Sequence, residues 1–270
     1  MSGLKKPVRL VMLYVLAALL LSPLIVGLML SLNDSTAINQ GEIFPVHFTF
    51  ANYQKLFHEA TFIHYLWNSV IVSAIVMAGQ VILSVLSAYA LTFLDFRFKK
   101  TIFVIFMITM MLPFEAEILP NFETLKNLNL VNTYAAMTLP FLASAFGMFM
   151  LKTAFEGVPT AMRQLAQLEG LGHRQFLTMV VMPLQKVPII TLALYSFLTT
   201  WNMYLWPLIA TTDSSTRTIQ IGLRSMRAQD SMTSWGLIMA ATIITVLPTM
   251  LIILFGQRYF KNGMVNGMVK

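Results

Sequence analysis

The chain has 270 residues, of which 57% are hydrophobic and only 11% are charged, and its mean hydropathy is +0.72. A soluble domain carries roughly 25% charged residues, so the composition excludes a soluble globular protein and indicates an integral membrane protein. The net charge of +7 does not indicate nucleic-acid binding, because the basic residues stand in short groups between apolar segments. The absence of cysteine excludes disulfides, thiolate metal sites and a cysteine nucleophile.

The N-terminal part predicts one membrane anchor and a loop. An apolar run over 10–32 follows a basic start, and about 20 apolar residues suffice to cross the hydrocarbon core of a bilayer. The polar segment Asn33–Thr36 follows instead of a small-residue cleavage site, which favours an uncleaved anchor over a signal peptide. Three histidines, His47, His58 and His64, lie in or directly after the loop at about 33–63. Their spacing fits no common zinc pattern, so no metal site is predicted.

Five further apolar segments complete a prediction of six transmembrane helices in an all-α membrane protein. They lie at about 65–93, from about 101, and at about 133–152, 187–209 and 235–255. The predicted domains are an anchor helix with its extracytoplasmic loop over 1–64, a core transmembrane domain over 65–256 and a tail over 257–270. With the N-terminus inside, 13 of the 18 Lys and Arg residues lie in inner segments. The positive-inside rule therefore predicts that both termini are cytoplasmic.

The third predicted span carries two acids near its far end. Glu115 and Glu117 lie between Pro113 and Pro120. Acids at membrane depth are costly and usually face a cavity or water. Two interpretations stay open: the span ends before Glu115 and both acids are solvated, or the acids face a pathway or a gate.

A long polar break, 155–183, lies between the fourth and fifth predicted spans on the positively charged side. Pro159 and Gly170 suit the start and the end of a short helix, and a second helix is predicted over about 173–182, ended by Pro183. A plain connection between two spans needs no such order. The break is therefore interpreted as a docking surface for a partner, and the alternative is an ordinary amphipathic helix at the bilayer surface.

The fifth predicted span contains Thr200–Leu208, in which aromatic residues surround Asn202. An amide can bond sugar hydroxyls while a ring such as that of Trp206 stacks on the apolar face of a sugar. The alternative is an aromatic belt at the membrane interface, with a helix–helix hydrogen bond through Asn202. Both interpretations stay open.

The polar break resembles the cytoplasmic loop of bacterial ABC importer permeases, known as the EAA loop. The family pattern is Glu-Ala-Ala, two residues, Asp-Gly-Ala, then an aromatic residue and Leu-Pro. The corresponding residues here are Gln164-Leu165-Ala166, Glu169-Gly170-Leu171, Phe176 and Met182-Pro183. Gln164 stands where the family has an acid, and Leu165 stands where it has an alanine. The resemblance implies that the first two triplets, and above all Glu169 and Gly170, form the joint with a separate ATPase subunit.

Other segments extend the resemblance over almost the whole chain and narrow it to maltose-type carbohydrate importers. They are Phe48–Tyr53, Trp67–Ser69, Ser87–Ala90, Trp201–Pro207 and the tail Gln257–Lys270. Within that branch, Met111–Pro120 and Tyr134–Pro140 look most similar to the glycerol-3-phosphate-type permeases. The resemblance implies the type I ABC importer permease fold, with six transmembrane helices and a cytoplasmic coupling-helix loop.

The resemblance implies a non-catalytic permease subunit of an ATP-driven importer in the bacterial inner membrane. The expected solute is a carbohydrate or a related compound, with glycerol-3-phosphate or a glycerophosphodiester as the alternative. The implied partners are a second permease, an ATPase homodimer or heterodimer, an extracytoplasmic solute-binding protein and membrane lipid. The chain has no G-x-x-x-x-G-K-[ST] motif. ATP and Mg²⁺ are therefore expected on the ATPase, with no cofactor in this chain.

The solute pathway is expected to run between this subunit and the second permease. The candidate lining residues are Asn68, Glu115, Asn202 and Trp206. Three arginines in predicted outer segments can contact lipid or solvent, a binding protein, or an anionic solute. They are Arg217, Arg224 and Arg227.

Two other functional classes are disfavoured by the sequence. A self-contained secondary transporter would need internal repeats and acids near the middle of the membrane. An intramembrane enzyme would need paired catalytic groups within the spans. The sequence has no visible repeat, and no predicted span contains a pair of aspartates or a serine with a histidine. No catalytic residue is therefore predicted.

Overall fold

The computed structural model describes residues 6–34, 37–38, 41, 48–229 and 234–266, and every regular element among them is helical. In chain order the helices are α1 (Lys6–Ser31), α2 (Ala51–His58), α3 (Ala60–Phe93), α4 (Lys99–Thr109), α5 (Phe114–Asn127), α6 (Tyr134–Thr138), α7 (Ala145–Glu156), α8 (Thr160–Leu168), α9 (His173–Gln175), α10 (Met182–Leu184), α11 (Lys186–Trp201), α12 (Leu205–Ala210), α13 (Ile219–Gln229) and α14 (Trp235–Asn266). A 3₁₀ turn, Leu139–Phe141, continues α6, and a π-helix, Phe176–Val181, joins α9 to α10.

The chain falls into two compact units, each formed from two separate segments. The first unit comprises 1–66 and 219–249, and the second comprises 67–218 and 250–270. The predicted domain boundaries after residues 64 and 256 fall inside α3 and α14. The predicted division into functional domains stays a prediction.

Six membrane crossings are compatible with the helices, as predicted. Among the described residues, three helical stretches are long and apolar enough to cross a membrane by themselves: Leu10–Ser31, Ala60–Phe93 and Trp235–Gln257. Three bent helix pairs also qualify, with bends of 100° between α4 and α5, 45° before α7, and 81° between α10 and α11. Counting each bent pair as one span gives up to six spans.

The third predicted span is a bent pair rather than one helix. α4 ends at Thr109, and α5 begins after Pro113. Proline lacks a backbone N–H and favours extended backbone in the residue before it, so the two helices separate at this point. Glu115 and Glu117 therefore lie in the first turn of α5, where the helix dipole favours negative charge.

The fifth predicted span, 187–209, is also interrupted. α11 ends at Trp201, and α12 starts at Leu205. Proline is tolerated in the first turn of a helix, where its missing N–H has no intrahelical partner, and the break places Pro207 in the first turn of α12. The loop predicted after this span contains α13, an 11-residue helix that the sequence analysis missed.

In the first unit, an Asn-Tyr pair ties α2 to the end of α1. Asn52 Nδ2 donates to the carbonyl of Ser31 (3.0 Å) and to that of Asn33 (2.9 Å). The hydroxyls of Tyr53 and Ser31 share a hydrogen bond of 2.7 Å. The residues that resemble the family's segment before the second span thus have a direct role in packing.

Candidate functional site

The predicted coupling loop begins with α8 and a tight turn. Gly170 follows the helix with a φ of +68°, in the left-handed region. The N–H of Gly170 donates to the carbonyl of Gln167 (3.1 Å), and the N–H of Leu171 donates to the carbonyl of Ala166 (2.9 Å). These two bonds form a Schellman motif, which ends many helices at a glycine. The predicted helix end at Gly170 is confirmed.

The second half of the loop is longer than predicted. α9, the π-helix and α10 form a continuous run from His173 to Leu184, so Pro183 lies inside the helical run instead of ending it. The ring of a proline crowds the carbonyl four residues before it. The π-helix directly precedes α10, and the wider π turn is a recognised way in which helices absorb such an irregularity.

A buried cluster packs the loop against α3 and α7. Its members are Val85, Ala88, Tyr89, Phe93, Leu151, Phe155, Val158, Ala166, Phe176, Leu177, Val181 and Leu192. The rings of Phe93 and Phe176 meet edge to face, with 5.3 Å between their centroids. Ala166 is the α8 member of this cluster and is 6% exposed. Its small side chain lets the α8 backbone lie close to the rest of the unit.

Two polar contacts reinforce this packing. Arg163 Nη2 donates to the carbonyl of Phe93 (3.1 Å), the last residue of α3. The final carbonyls of a helix have no intrahelical donor and carry the negative end of its dipole, so a cation stabilises them. The side chains of Tyr89 and His173 share a hydrogen bond of 3.0 Å. Neither contact is predictable from a local sequence pattern, because the residues that they join are 70 and 84 positions apart.

The other side of α8 is exposed. Leu165 is 54% exposed and Leu168 is 85% exposed. Residues three apart share a helix face, so these two leucines form one apolar surface, which we call the outward face of α8. Gln164, Glu169 and Gly170 are also exposed, whereas Ala166 and Leu171 pack inward. The six predicted coupling residues thus lie in one loop and divide between an anchoring side and an exposed side.

The pathway candidate Asn68 is only 1% exposed, and both polar atoms of its side chain are hydrogen-bonded. Its Nδ2 donates to the carbonyls of Ser215 and Arg217, both at 2.9 Å. Its Oδ1 accepts a hydrogen bond of 2.6 Å from the hydroxyl of Tyr134. These bonds fasten the loop at 211–218 to α3.

We expect Asn68→Leu to lower the thermal midpoint of the purified complex, with a stability loss of about 2–4 kcal/mol, because it leaves buried carbonyls without their donor. Asn202→Leu is the matched control: Asn202 is exposed, and its Nδ2 donates to the carbonyl of Leu198 in α11, the helix that it directly follows (2.8 Å). An unchanged midpoint in Asn68→Leu, with a changed KM for transport, would instead assign Asn68 to the solute pathway.

Trp206 is fully buried, at 0% exposure. Its Nε1 donates to the carbonyl of Ala136 (3.0 Å), and its ring meets that of Phe141 at 79° with 5.8 Å between centroids. Trp201 is 1% exposed and stacks on Phe197 at 5.9 Å. Both indole rings therefore belong to the packed interior of this subunit.

The other two pathway candidates are exposed. Asn202 directly follows α11, and Glu115 lies in the first turn of α5. The four candidates thus stand on different elements: Asn68 in α3, Glu115 in α5, Asn202 after α11 and Trp206 in α12.

The loop after α12 is held by Asn132 and Asp213. Asn132 Oδ1 accepts from the N–H of Thr212 (2.6 Å) and the N–H of Asp213 (3.1 Å). The N–H of Ser215 donates to the Asp213 carboxylate (3.1 Å) and is the largest of the causes that lower the pKa of this carboxyl. Because the carboxylate is favoured in the folded chain, its contribution to stability is present at neutral pH. It is lost only as the pH falls through this lowered pKa.

The outer arginines differ in their surroundings. Arg217 is half-buried, and its Nη2 donates to the carbonyl of Thr212 (3.2 Å). Arg224 is exposed, and the side chain of Arg227 lies outside the described part of the structure, as do the side chains of residues 258–266 and all of 267–270. The described residues contain no group of three or more His, Asp or Glu placed to hold a metal ion. The roles of the three arginines stay predictions.

A profile of the family described as "Binding-protein-dependent transport system inner membrane component" matches residues 80–266, which include the whole coupling loop. The chain belongs to this family. It is a permease subunit of an ABC importer, a non-catalytic membrane component that works with a separate ATPase, a second permease and a binding protein.

Two relatives and one solved structure agree with this assignment. The permease is 32% identical over 265 residues to the sn-glycerol-3-phosphate transport system permease protein UgpE of Yersinia enterocolitica, covering 95% of this chain and 94% of the relative. It is 36% identical over 201 residues to UgpE of Brucella abortus strain 2308, covering 74% and 71% of the two chains. A chain from the crystal structure of a bacterial ABC transporter involved in alginate import superposes with a TM-score of 0.85 at 21% identity, covering 96% and 100% of the two chains. The predicted type I importer permease fold is confirmed.

Proposed function

We propose that the outward face of α8 docks into the ATPase subunit and that Gln164, Leu165, Ala166, Glu169, Gly170 and Leu171 form this coupling site. The observation that carries the proposal is an ordered helix with leucines 54% and 85% exposed. Large exposed apolar surface on an ordered element marks a contact with a partner. Gln164 offers an amide where an acid is usual, so the contact relies on apolar packing and neutral hydrogen bonds at that position.

The buried cluster then transmits the movement of the ATPase to the spans. α8 is joined to α3 by Arg163 and, through Ala166, to the cluster that includes Phe155 of α7. Closely packed protein interiors move as rigid bodies and do not deform continuously. Closure of the ATPase on ATP therefore shifts the inner ends of these helices together and opens the bundle outward. No chemical step takes place on this chain.

The orientation that supports this function places the coupling loop and both termini in the cytoplasm. The support is the excess of Lys and Arg in the predicted inner segments, 13 of 18 residues. The natural chain has no cysteine, which makes single introduced cysteines specific probes. In intact spheroplasts, an impermeant maleimide should label Lys126→Cys and leave Leu168→Cys unlabelled, although both positions are exposed. If only Leu168→Cys were labelled, the chain would have the opposite orientation, with the coupling loop outside.

The partners follow from the same placement. A homodimeric or heterodimeric ATPase binds at the coupling loop, and ATP with Mg²⁺ belongs to that subunit. Apolar side chains of α1 are exposed along its length, with Tyr14 at 73% and Leu19 at 66%, which supports contact with lipid. The pathway runs between this permease and the second one. Glu115 and Asn202 are its best candidates here, because both are exposed.

For the solute we propose a small phosphorylated polyol of the glycerol-3-phosphate class. The support is the similarity to UgpE over 95% of the chain. The alternative of a neutral sugar stacked on the aromatic segment Thr200–Leu208 is weakened by the burial of Trp201 and Trp206, at 1% and 0% exposure. A buried ring offers no face to a sugar.

The test is ATP hydrolysis by the reconstituted complex of both permeases and the ATPase in nanodiscs. We expect several-fold stimulation by a binding protein loaded with sn-glycerol-3-phosphate and little by the empty protein. Stimulation only by a maltose-loaded binding protein would contradict the proposed solute but would still support the importer function. Stimulation by a glycerophosphodiester would widen the class to its esters.

A further inference from the structure

The fourth predicted span is broken between its two helical parts. Its outer part, α6 with the 3₁₀ turn, ends at Phe141, and its inner part, α7, begins at Ala145. The two parts are bent by 45°. Carbonyls at such a break have lost their helical donors, and in a membrane each must find another partner within the protein.

Gln80 of α3 provides that partner. Its Nε2 donates to the carbonyl of Phe141 at 2.8 Å. Its Oε1 accepts a hydrogen bond of 2.5 Å from the hydroxyl of Ser196 in α11. Ser196 is 0% exposed. One side chain thus links three spans at the point where one of them is interrupted. A polar side chain at membrane depth is costly unless its bonds are made.

Close packing surrounds this amide link. A Cβ on Gly79 would lie 2.6 Å from Leu142 Cδ2, so α3 already touches the break. A Cβ on Gly147 would lie 2.5 Å from Ser84 Oγ, so the first turn of α7 also lies against α3. The N–H of Gly147 is held by Ser144 Oγ at 3.0 Å. Both sides of the break therefore pack against α3.

We propose that Gln80 is a positioning residue of the transport cycle: its amide fixes the bend of the fourth span, so that α3, the fourth span and α11 move as one body when the ATPase closes. Without this link the 142–144 break can flex, and movement delivered at the inner end of α7 is partly absorbed there. Gln80 acts through Phe141 and Ser196. This inference rests on the permease assignment and is independent of the proposed solute.

The expected size of the effect follows from measured interhelical bonds. One hydrogen bond between spanning helices shifts an equilibrium by roughly threefold. Gln80→Leu has a similar size and removes both bonds, so it should raise the population of other bend angles by roughly tenfold. Ser196→Ala removes one bond and keeps the contact with Phe141, so it should have roughly a threefold effect.

The experiment uses the complete complex in nanodiscs. Spin labels on Leu139→Cys and Thr153→Cys stand on opposite sides of the break, and both positions are exposed. The native chain should give one narrow distance distribution, and Gln80→Leu should give a broadened or split one. Solute transported per ATP hydrolysed should fall in the same order, with Gln80→Leu below Ser196→Ala.

Ser87→Ala is the control, because its hydroxyl bonds the carbonyl of Leu83 within α3 (2.7 Å) and reaches no other span. It should leave the distances and the transport ratio unchanged. A native distance distribution in an assembled Gln80→Leu complex would overturn the proposal. If Gln80→Leu does not assemble, Ser196→Ala decides: a native distribution and a native transport ratio in that variant would overturn the proposal equally.

Discussion

Gly170→Pro is expected to remove the ATPase from the purified complex while the second permease is still recovered. Gly170 sits at a φ of +68°, and a proline is confined near −65°. Proline also lacks the N–H that Gly170 donates to Gln167. The turn after α8 must therefore rearrange, and the outward face of α8 changes direction. Quantitative affinity purification from mild detergent measures the ratio of ATPase to permease.

Milder variants separate backbone strain from loss of the loop. Gly170→Ala places an ordinary residue in the left-handed region at a cost of about 1–2 kcal/mol, so the recovered ATPase should fall severalfold. With Gly170→Asn the amount of recovered ATPase should fall less, because asparagine tolerates the left-handed region. Apart from Gly170 and its two chain neighbours, no heavy atom lies within 4 Å of a Cβ built on Gly170, so any loss arises from backbone conformation and not from a clash.

Gly172→Ala is the matched control two residues away. Gly172 has a φ of −73°, and its Cβ would meet only Gln175 Oε1 at 3.8 Å. This variant should retain the ATPase fully. Equal recovery of the ATPase with Gly170→Pro and with the native chain would contradict the placement of the coupling site in this turn.

The sequence was sufficient for features that depend on neighbouring residues. The helix end at Gly170 follows from the preference of that turn for glycine, and the spans follow from the length of their apolar runs. The partners of these elements do not follow in the same way. Arg163 meets the end of α3 from 70 positions away, and no local pattern distinguishes this arginine from a solvated one.

The breaks in the spans show a second limit. Hydropathy measures whether a segment is apolar, and a 100° bend leaves that average unchanged. Pro113 lies at one break, but the direction that α5 then takes depends on how this helix packs. The break at 142–144 is stabilised by Gln80, which lies in a different span. The composition of the apolar run around Gln80 therefore does not show which backbone carbonyl this glutamine bonds.

Trp206 shows why the aromatic segment Thr200–Leu208 left two interpretations open, a sugar site and an interfacial belt. Both require the same residues in the same order. They differ in which face of the ring is covered, and that depends on α5 and α6. Trp206 lies in a cluster with Leu125, Ala136 and Ala210. The residue is a packing anchor of this unit.

Trp206→Ala is accordingly expected to destabilise the permease by about 3–5 kcal/mol, because it removes a fully buried indole and leaves a cavity. At roughly 2–4 °C per kcal/mol for a chain of this size, the thermal midpoint should fall on the order of 10 °C. Trp206→Phe keeps an aromatic ring and removes the donor to the Ala136 carbonyl. Its loss should be smaller, about 1–3 kcal/mol.

Trp67→Ala is the control, because Trp67 is 59% exposed and its removal leaves no enclosed cavity. Differential scanning fluorimetry of the purified complex compares the three variants, and transport assays below each midpoint give KM. A role in packing requires that Trp206→Phe lower the midpoint while KM stays native. A native midpoint with a raised KM would place the indole in the solute pathway, since the cost of losing it would then appear only when solute binds.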